Sequence, residues 1–207
     1  MAVVEMGGAP LMDHVNKIAI AMFAPLLLAF SPSTKHHQKY FEKFNEIVFD
    51  VDEADAKLVV TDQDHSFIEY NLEHAGCQSK VFIDGTVLKV KNDKKNGGCK
   101  ASYTFALANR NTKLKFQVGA GNIQTSGLTS LQNIQLGAGS IDIADFTGDI
   151  DVSAGAASVK LSTKYVPAAP SCLKVKLGSG VLDVKLPNSL LKLANNNPSN
   201  LVLDKFK

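Results

Sequence analysis

Asp62-Gln63-Asp64-His65 is the cluster whose residue types are best suited to chemistry. Carboxylates beside an imidazole can ligate a divalent cation or move protons. A predicted strand runs into this cluster and another leaves it, so a solvated polar turn is the simpler expectation. Glu73-His74 with Cys77 suggests a thiol–imidazole pair, but no third group orients it, and a cysteine held in a disulfide is no nucleophile. His36-His37 offers two imidazoles to an incidental metal. The aspartates at 142, 149, 151 and 183 fall on outward strand positions near glycine corners, which raises calcium. The nonapeptide repeat that a calcium roll needs does not recur, so solvated surface charge explains them better. Gly-Ala-Gly and Gly-Ser-Gly phrases lack the Lys-Ser/Thr tail and the following helix that cradle a phosphate. The expectation is no catalytic residue, no metal site and no cofactor.

The elements that would position any such residue are unusually plain between Leu114 and Leu186. A short alternating apolar run meets a Gly-rich corner and leaves as another alternating run, four times over. The passes read Phe116-Gln-Val118-Gly-Ala-Gly121-Asn-Ile123, Ile134-Gln-Leu136-Gly-Ala-Gly139-Ser-Ile141-Asp-Ile143, Ile150-Asp-Val152-Ser-Ala-Gly155-Ala-Ala-Ser-Val159-Lys-Leu161 and Leu173-Lys-Val175-Lys-Leu177-Gly-Ser-Gly180-Val-Leu182-Asp-Val184. Period-two alternation puts the apolar side chains on one strand face. Valine and isoleucine suit a pleated, half-buried surface. The expected structural corners are Gly119, Gly121, Gly137, Gly139, Gly155, Gly178 and Gly180. Counted on 121, 139, 155 and 180, the steps are 18, 16 and 25 residues.

One pass cannot bury its apolar face alone, whereas stacked passes cover one another. The same apolar–corner–apolar order recurs in the same direction, so like would stack on like. The predicted fold is therefore all-β: a single-stranded parallel β-helix or β-roll solenoid with irregular first coils. An antiparallel β-sandwich with hairpins at the glycines is the alternative. Tyr165-Val-Pro-Ala-Ala-Pro-Ser-Cys172 carries two prolines and reads as a loop bulging from one coil.

Upstream, Ile47–Val51, Ala56–Thr61, Phe67–Leu72, Lys80–Ile83, Val87–Lys91 and Ser102–Leu107 read as strands. An acidic turn separates the first two, and Asp84-Gly85 turns between the fourth and fifth. Residues 34–46 read as a polar leader or a short helical cap, because Tyr40, Phe41 and Phe44 have helical spacing. Residues 47–207 form the solenoid domain. Pro187 stops the ladder and residues 200–207 supply a last strand that covers the far end.

Lys and Arg total 22 against 20 Asp and Glu, a net charge of +2 over 207 residues. A nucleic-acid binder would usually show a basic stripe, so none is expected as a partner. Tryptophan is absent and there is one arginine, Arg110. Ile18–Phe30 is an apolar run of 13 residues, short of the roughly 20 that span a bilayer. Preceded by Lys17 and followed by Ser31 and Ser33, it reads as a secretory signal peptide over 1–33, with 1–11 as an upstream extension if Met12 is the start. The alternative is an uncleaved anchor; after cleavage no stable membrane span remains. Export makes a Cys77–Cys99 disulfide plausible in an oxidising compartment, leaving Cys172 over. There is no CxxC, which disfavours zinc.

The phrases Gly-Ala-Gly139-Ser-Ile-Asp-Ile143 and Thr147-Gly-Asp149-Ile-Asp-Val152-Ser-Ala-Gly155 resemble the bacterial "putative adhesin" domains of unknown function, related to head-GIN and auto-transporter adhesin domains. The resemblance covers Ile47 to Leu186 and is strongest over 116–186. It implies a right-handed β-helix and an exported protein: periplasmic, outer-membrane-associated or extracellular. It transfers no catalytic residue. The expected function is a non-enzymatic structural or binding module that meets an envelope or surface protein or a glycan, with self-association open. A carbohydrate-active enzyme on the same scaffold is the alternative.

Overall fold

The computed structural model describes residues 35–41, 44–73, 77–92, 99–165, 172–187 and 201–205. The expected signal peptide lies outside them, as does most of the proline excursion. The regular elements among the described residues are all β-strands: β1 Lys35–Phe41, β2 Glu46–Val60, β3 Ser66–Leu72, β4 Ser79–Asp84, β5 Val87–Asn92, β6 Lys100–Leu107, β7 Lys113–Ser126, β8 Gln132–Ala144, β9 Ile150–Ser162, β10 Leu173–Lys185 and β11 Leu201–Lys205. They form one mixed sheet in the order β1-β3-β6-β2-β7-β8-β9-β10-β11, with β4 attached through β5 to β2.

Five long strands carry the repeat. β2, β7, β8, β9 and β10 pair parallel and in register, so Phe49, Phe116, Ile134, Val152 and Val175 fall in one column. Each strand has two arms that meet at a corner. Leu114–Val118 is the first arm of β7 and Ile123–Ser126 the second, and the apolar residues of both are buried. The arms face a shared interior: Phe49 on the first arm of β2 packs edge-on against Phe105, which is paired with the second arm of β2. One continuous core cluster results.

The pairing corrects three sequence expectations. The repeat begins one coil earlier than the glycines suggest, because residues 47–51 and 56–60 belong to one strand. The acidic stretch at 52–55 is the bend of β2 rather than a turn between strands, and Asp52 and Ala54 stand below Gly119 and Gly121. Second, Gly155 stacks on Gly137 and under Gly178, whereas the partner of Gly139 and Gly180 is Ala157. The coil-to-coil steps are therefore 18, 18 and 23 residues. Third, residues 35–41 form β1, paired antiparallel with β3, so the helical cap is wrong. A flat polar edge strand satisfies its backbone against β3, which a lone amphipathic turn would not.

The sheet is also not purely parallel. β1–β3, β3–β6 and the β4–β5 hairpin are antiparallel, and all belong to the segment inserted between the first and second long strands or to its edge. Gly85 turns that hairpin with φ +61°. The insertion forks around β2: β5 pairs with its first arm and β6 with its second.

Candidate functional site

The corner column is built by backbone proximity. A Cβ at Gly119 would come 2.5 Å from the Asp52 carbonyl oxygen, and one at Gly155 2.5 Å from that of Gly137. Chain stacked on chain at about 4.8 Å leaves no room there for a side chain. Gly139 adds a φ of +132°, a region closed to residues with a Cβ. The glycines are thus scaffold, and their sides carry no reactive group.

The candidate clusters do not assemble. Asp62, Gln63, Asp64 and His65 lie exposed in the bend between β2 and β3. Cys77 is bonded to Cys99, with Cα atoms 5.4 Å apart, so the thiol–imidazole pair is excluded; His74 lies outside the described residues. Cys172 is a free, half-buried thiol whose amide donates to Asp149 Oδ1 at 2.8 Å. His36 on β1 shares a hydrogen bond with Asn71 at 2.9 Å, and His37 stacks on Tyr70 with centroids 4.7 Å apart. Asp142 faces Lys160 at 3.6 Å and Asp183 faces Lys185 at 3.5 Å; Asp149 sits in a turn, not on a strand. Among the described residues no three His, Cys, Asp or Glu side chains converge as a metal would require.

What the fold does present is ordered polar surface. On the outer side of the second arms, Asp55, Asn122, Ser140 and Ser158 form one row. Asn122 donates to Asp55 Oδ1 through its backbone N–H at 3.0 Å and its side-chain amide at 2.7 Å, and Ser140 donates to Asn122 Oδ1 at 2.6 Å. The neighbouring row is Lys57, Gln124, Asp142, Lys160 and Asp183.

A second feature lies where the second arms end. The turns after β7 and β8 stack on their predecessors: the Thr129 amide donates to Arg110 O at 2.9 Å and that of Thr147 to Leu128 O at 3.1 Å. The Thr129 hydroxyl bonds Asn111 Oδ1. Gly127 and Asp145 hold equivalent places with φ +80° and +50°. Aspartate is among the few residues with a Cβ that tolerate this region. Leu128 and Phe146 point inward and are buried. Along the outer side runs an open cleft of about 430 Å³ lined by Val59, Val60, Arg110, Ser126, Thr129, Asp145, Thr147 and Tyr165. Sequence reasoning passed over this cleft. The 18-residue spacing of Arg110, Leu128, Phe146 and Lys164 was the available signal, but it lies in turns, where apolar alternation is silent.

No protein-family model matches this chain, and no curated protein does. Its fold is similar to that of a "putative cell adhesion protein" from Clostridium sporogenes, with a TM-score of 0.50 and 10% identity over 73% of this chain and 98% of that one. A "putative adhesin" from Parabacteroides distasonis matches at 17% identity and TM-score 0.38, over 74% of this chain and 83% of that one. Another, from Bacteroides fragilis, matches at 12% identity and TM-score 0.34, over 74% and 94%. At 10% identity the first likeness is one of fold.

Proposed function

We propose that this chain is an exported, non-enzymatic β-solenoid that serves as an adhesin-like binding or structural module of the bacterial cell envelope. The observation that carries the reading is the parallel, in-register stack of five bent strands, whose interior is apolar and whose exterior is rows of Ser, Asn, Gln, Lys and Asp. Such a stack is rigid and repeats its surface groups at the strand spacing, which suits recognition of an extended partner. The fold likeness to the Clostridium sporogenes protein supports the same reading. The Cys77–Cys99 bond supports an oxidising compartment, and the apolar run at 18–30 supplies the means of reaching one. The coil is right-handed in this proposal, and its partner is an envelope or surface protein or a glycan.

Expression of the whole chain in a bacterial host, followed by fractionation and alkylation of free thiols, tests it. The expected outcome is an extracytoplasmic chain with one alkylatable cysteine that is retained by cell envelopes. A cytoplasmic chain with three free thiols would overturn the proposal.

A further inference from the structure

The cleft along the turns has a chemistry that the rest of the surface lacks. Arg110 is the one arginine of the chain. It is exposed, and no carboxylate among the described residues is paired with it. Its guanidinium presents donors in a rigid fork that matches a carboxylate. Tyr165 stands at the other end, its side chain 48% exposed, with Lys164 Nζ 5.3 Å from the ring centroid. The Tyr165 backbone is fixed by its neighbour: the Thr163 hydroxyl accepts from the Tyr165 amide at 3.1 Å and donates to Phe146 O at 2.9 Å. Between the two ends lie the hydroxyls of Ser126 and Thr129 and the carboxylate of Asp145.

Arg110 and Tyr165 belong to turns three coils apart, which at the strand spacing is about 14 Å. The cleft therefore suits a short chain rather than a single small ion. A peptide seeks an unpaired backbone edge, but the turn amides here are already committed from coil to coil. Hydroxyls, one acceptor carboxylate, an aromatic face and a free cation instead match a polyhydroxylated chain with an acidic group. From this we infer that the cleft binds an acidic oligosaccharide. Arg110 pairs with its carboxylate, Tyr165 stacks under the C–H face of a sugar ring, and Ser126, Thr129 and Asp145 bond its hydroxyls. The inference rests on the adhesin-like reading above and names the ligand class for it.

The test is a glycan array carrying uronate-containing, sialate-containing and neutral oligosaccharides, with carboxyl-reduced forms of the acidic ones. It is probed with the purified exported protein and with Arg110→Gln, Arg110→Lys and Tyr165→Ala. Wild type is expected to prefer acidic glycans over their reduced forms, and the two acidic arms tell uronate from sialate. Arg110→Gln should weaken that binding about tenfold or more and abolish the preference, as loss of a charged hydrogen bond predicts. Arg110→Lys should keep part of it, and Tyr165→Ala should weaken acidic and neutral binding alike. Melting temperatures should be unchanged, because both side chains are exposed. Equal retention of acidic and reduced glycans, retention of none, or an undiminished Arg110→Gln variant would overturn the inference. If no glycan is retained while envelopes still are, the ligand assignment fails alone. A cytoplasmic, reduced chain would instead remove the reading beneath it.

Discussion

Gln132 stands in a column with Ile47, Leu114, Ile150 and Leu173, and it is fully buried. Its Oε1 accepts from the Thr125 hydroxyl at 2.7 Å, while its Nε2 has no hydrogen-bond partner among the described residues. Thr125→Val alone leaves a wholly unpaired buried amide and should cost about 1–3 kcal/mol. Thr125→Val with Gln132→Leu should restore wild-type stability or exceed it, since both polar groups go together; urea unfolding of the single and double variants measures this. Tyr103 makes a second buried polar node. Its phenol donates to Asn92 Oδ1 at 2.5 Å, accepts from Ser79 Oγ at 2.8 Å, and ties the β4–β5 hairpin to β6. Burial pushes its pKa up to about 12. The unfolded chain loses that proton near pH 10, the folded chain near 12, so the stabilisation is complete below about pH 10 and is lost as pH rises towards 12. Unfolding measured from pH 9 to 11.5 should show a loss tending to about 2–3 kcal/mol, and Tyr103→Phe should remove most of that slope. Tyr70, also raised by burial, leaves a remainder of the same sign.

The corners set the shape of each long strand. Gly155→Val would place a branched side chain against the Gly137 carbonyl and should lower stability by about 3 kcal/mol or more, read as a fall in melting temperature. Ala156→Ser, exposed and one residue along, should change it by less than about 0.5 kcal/mol. The Cys77–Cys99 bond, spanning 22 residues, ties the end of β3 to the start of β6 around the hairpin. Cys77→Ser with Cys99→Ser should cost about 3 kcal/mol in chemical denaturation, with strand content by circular dichroism retained. Lys39 on β1 donates to the Val81 carbonyl on β4 at 2.9 Å and so occupies an edge acceptor that a foreign strand could otherwise use.

A stack of this kind is stable because each coil buries the face of the last, which leaves its two ends as the exposed surfaces. At one end the fork around β2 provides cover, with β5 on one arm and β6, β3 and β1 on the other. At the other, β11 pairs parallel with the first arm of β10, from Leu173 to Leu177. A chain ending at Pro187 would expose that arm. It should elute as dimers or larger species in size-exclusion chromatography under conditions where the full chain is monomeric. An unchanged elution volume would mean that the Val181–Lys185 arm, not β11, governs association.

The legible part of this protein was local. Alternating Ile, Val and Leu dictated strands, two glycines per pass dictated a bend, and Asp84-Gly85 dictated a hairpin, because each is a property of a few neighbouring residues. Like-on-like stacking was legible too, since the passes repeat in one direction. The register of the third coil was not, because Gly155 could align with Gly137 or with Gly139, and only the backbone pairing chooses between them. Nor was the first coil, whose Asp52 and Ala54 replace the glycines and whose neighbour in space begins at Lys113. The strand at 35–41 was hidden for a related reason: its polar side chains carry little pattern, and its backbone is satisfied by β3, thirty residues on. The cleft was the least legible of all. Arg110, Asp145 and Tyr165 are ordinary loop residues in the chain, and they share one groove only because 18-residue coils set their turns in line.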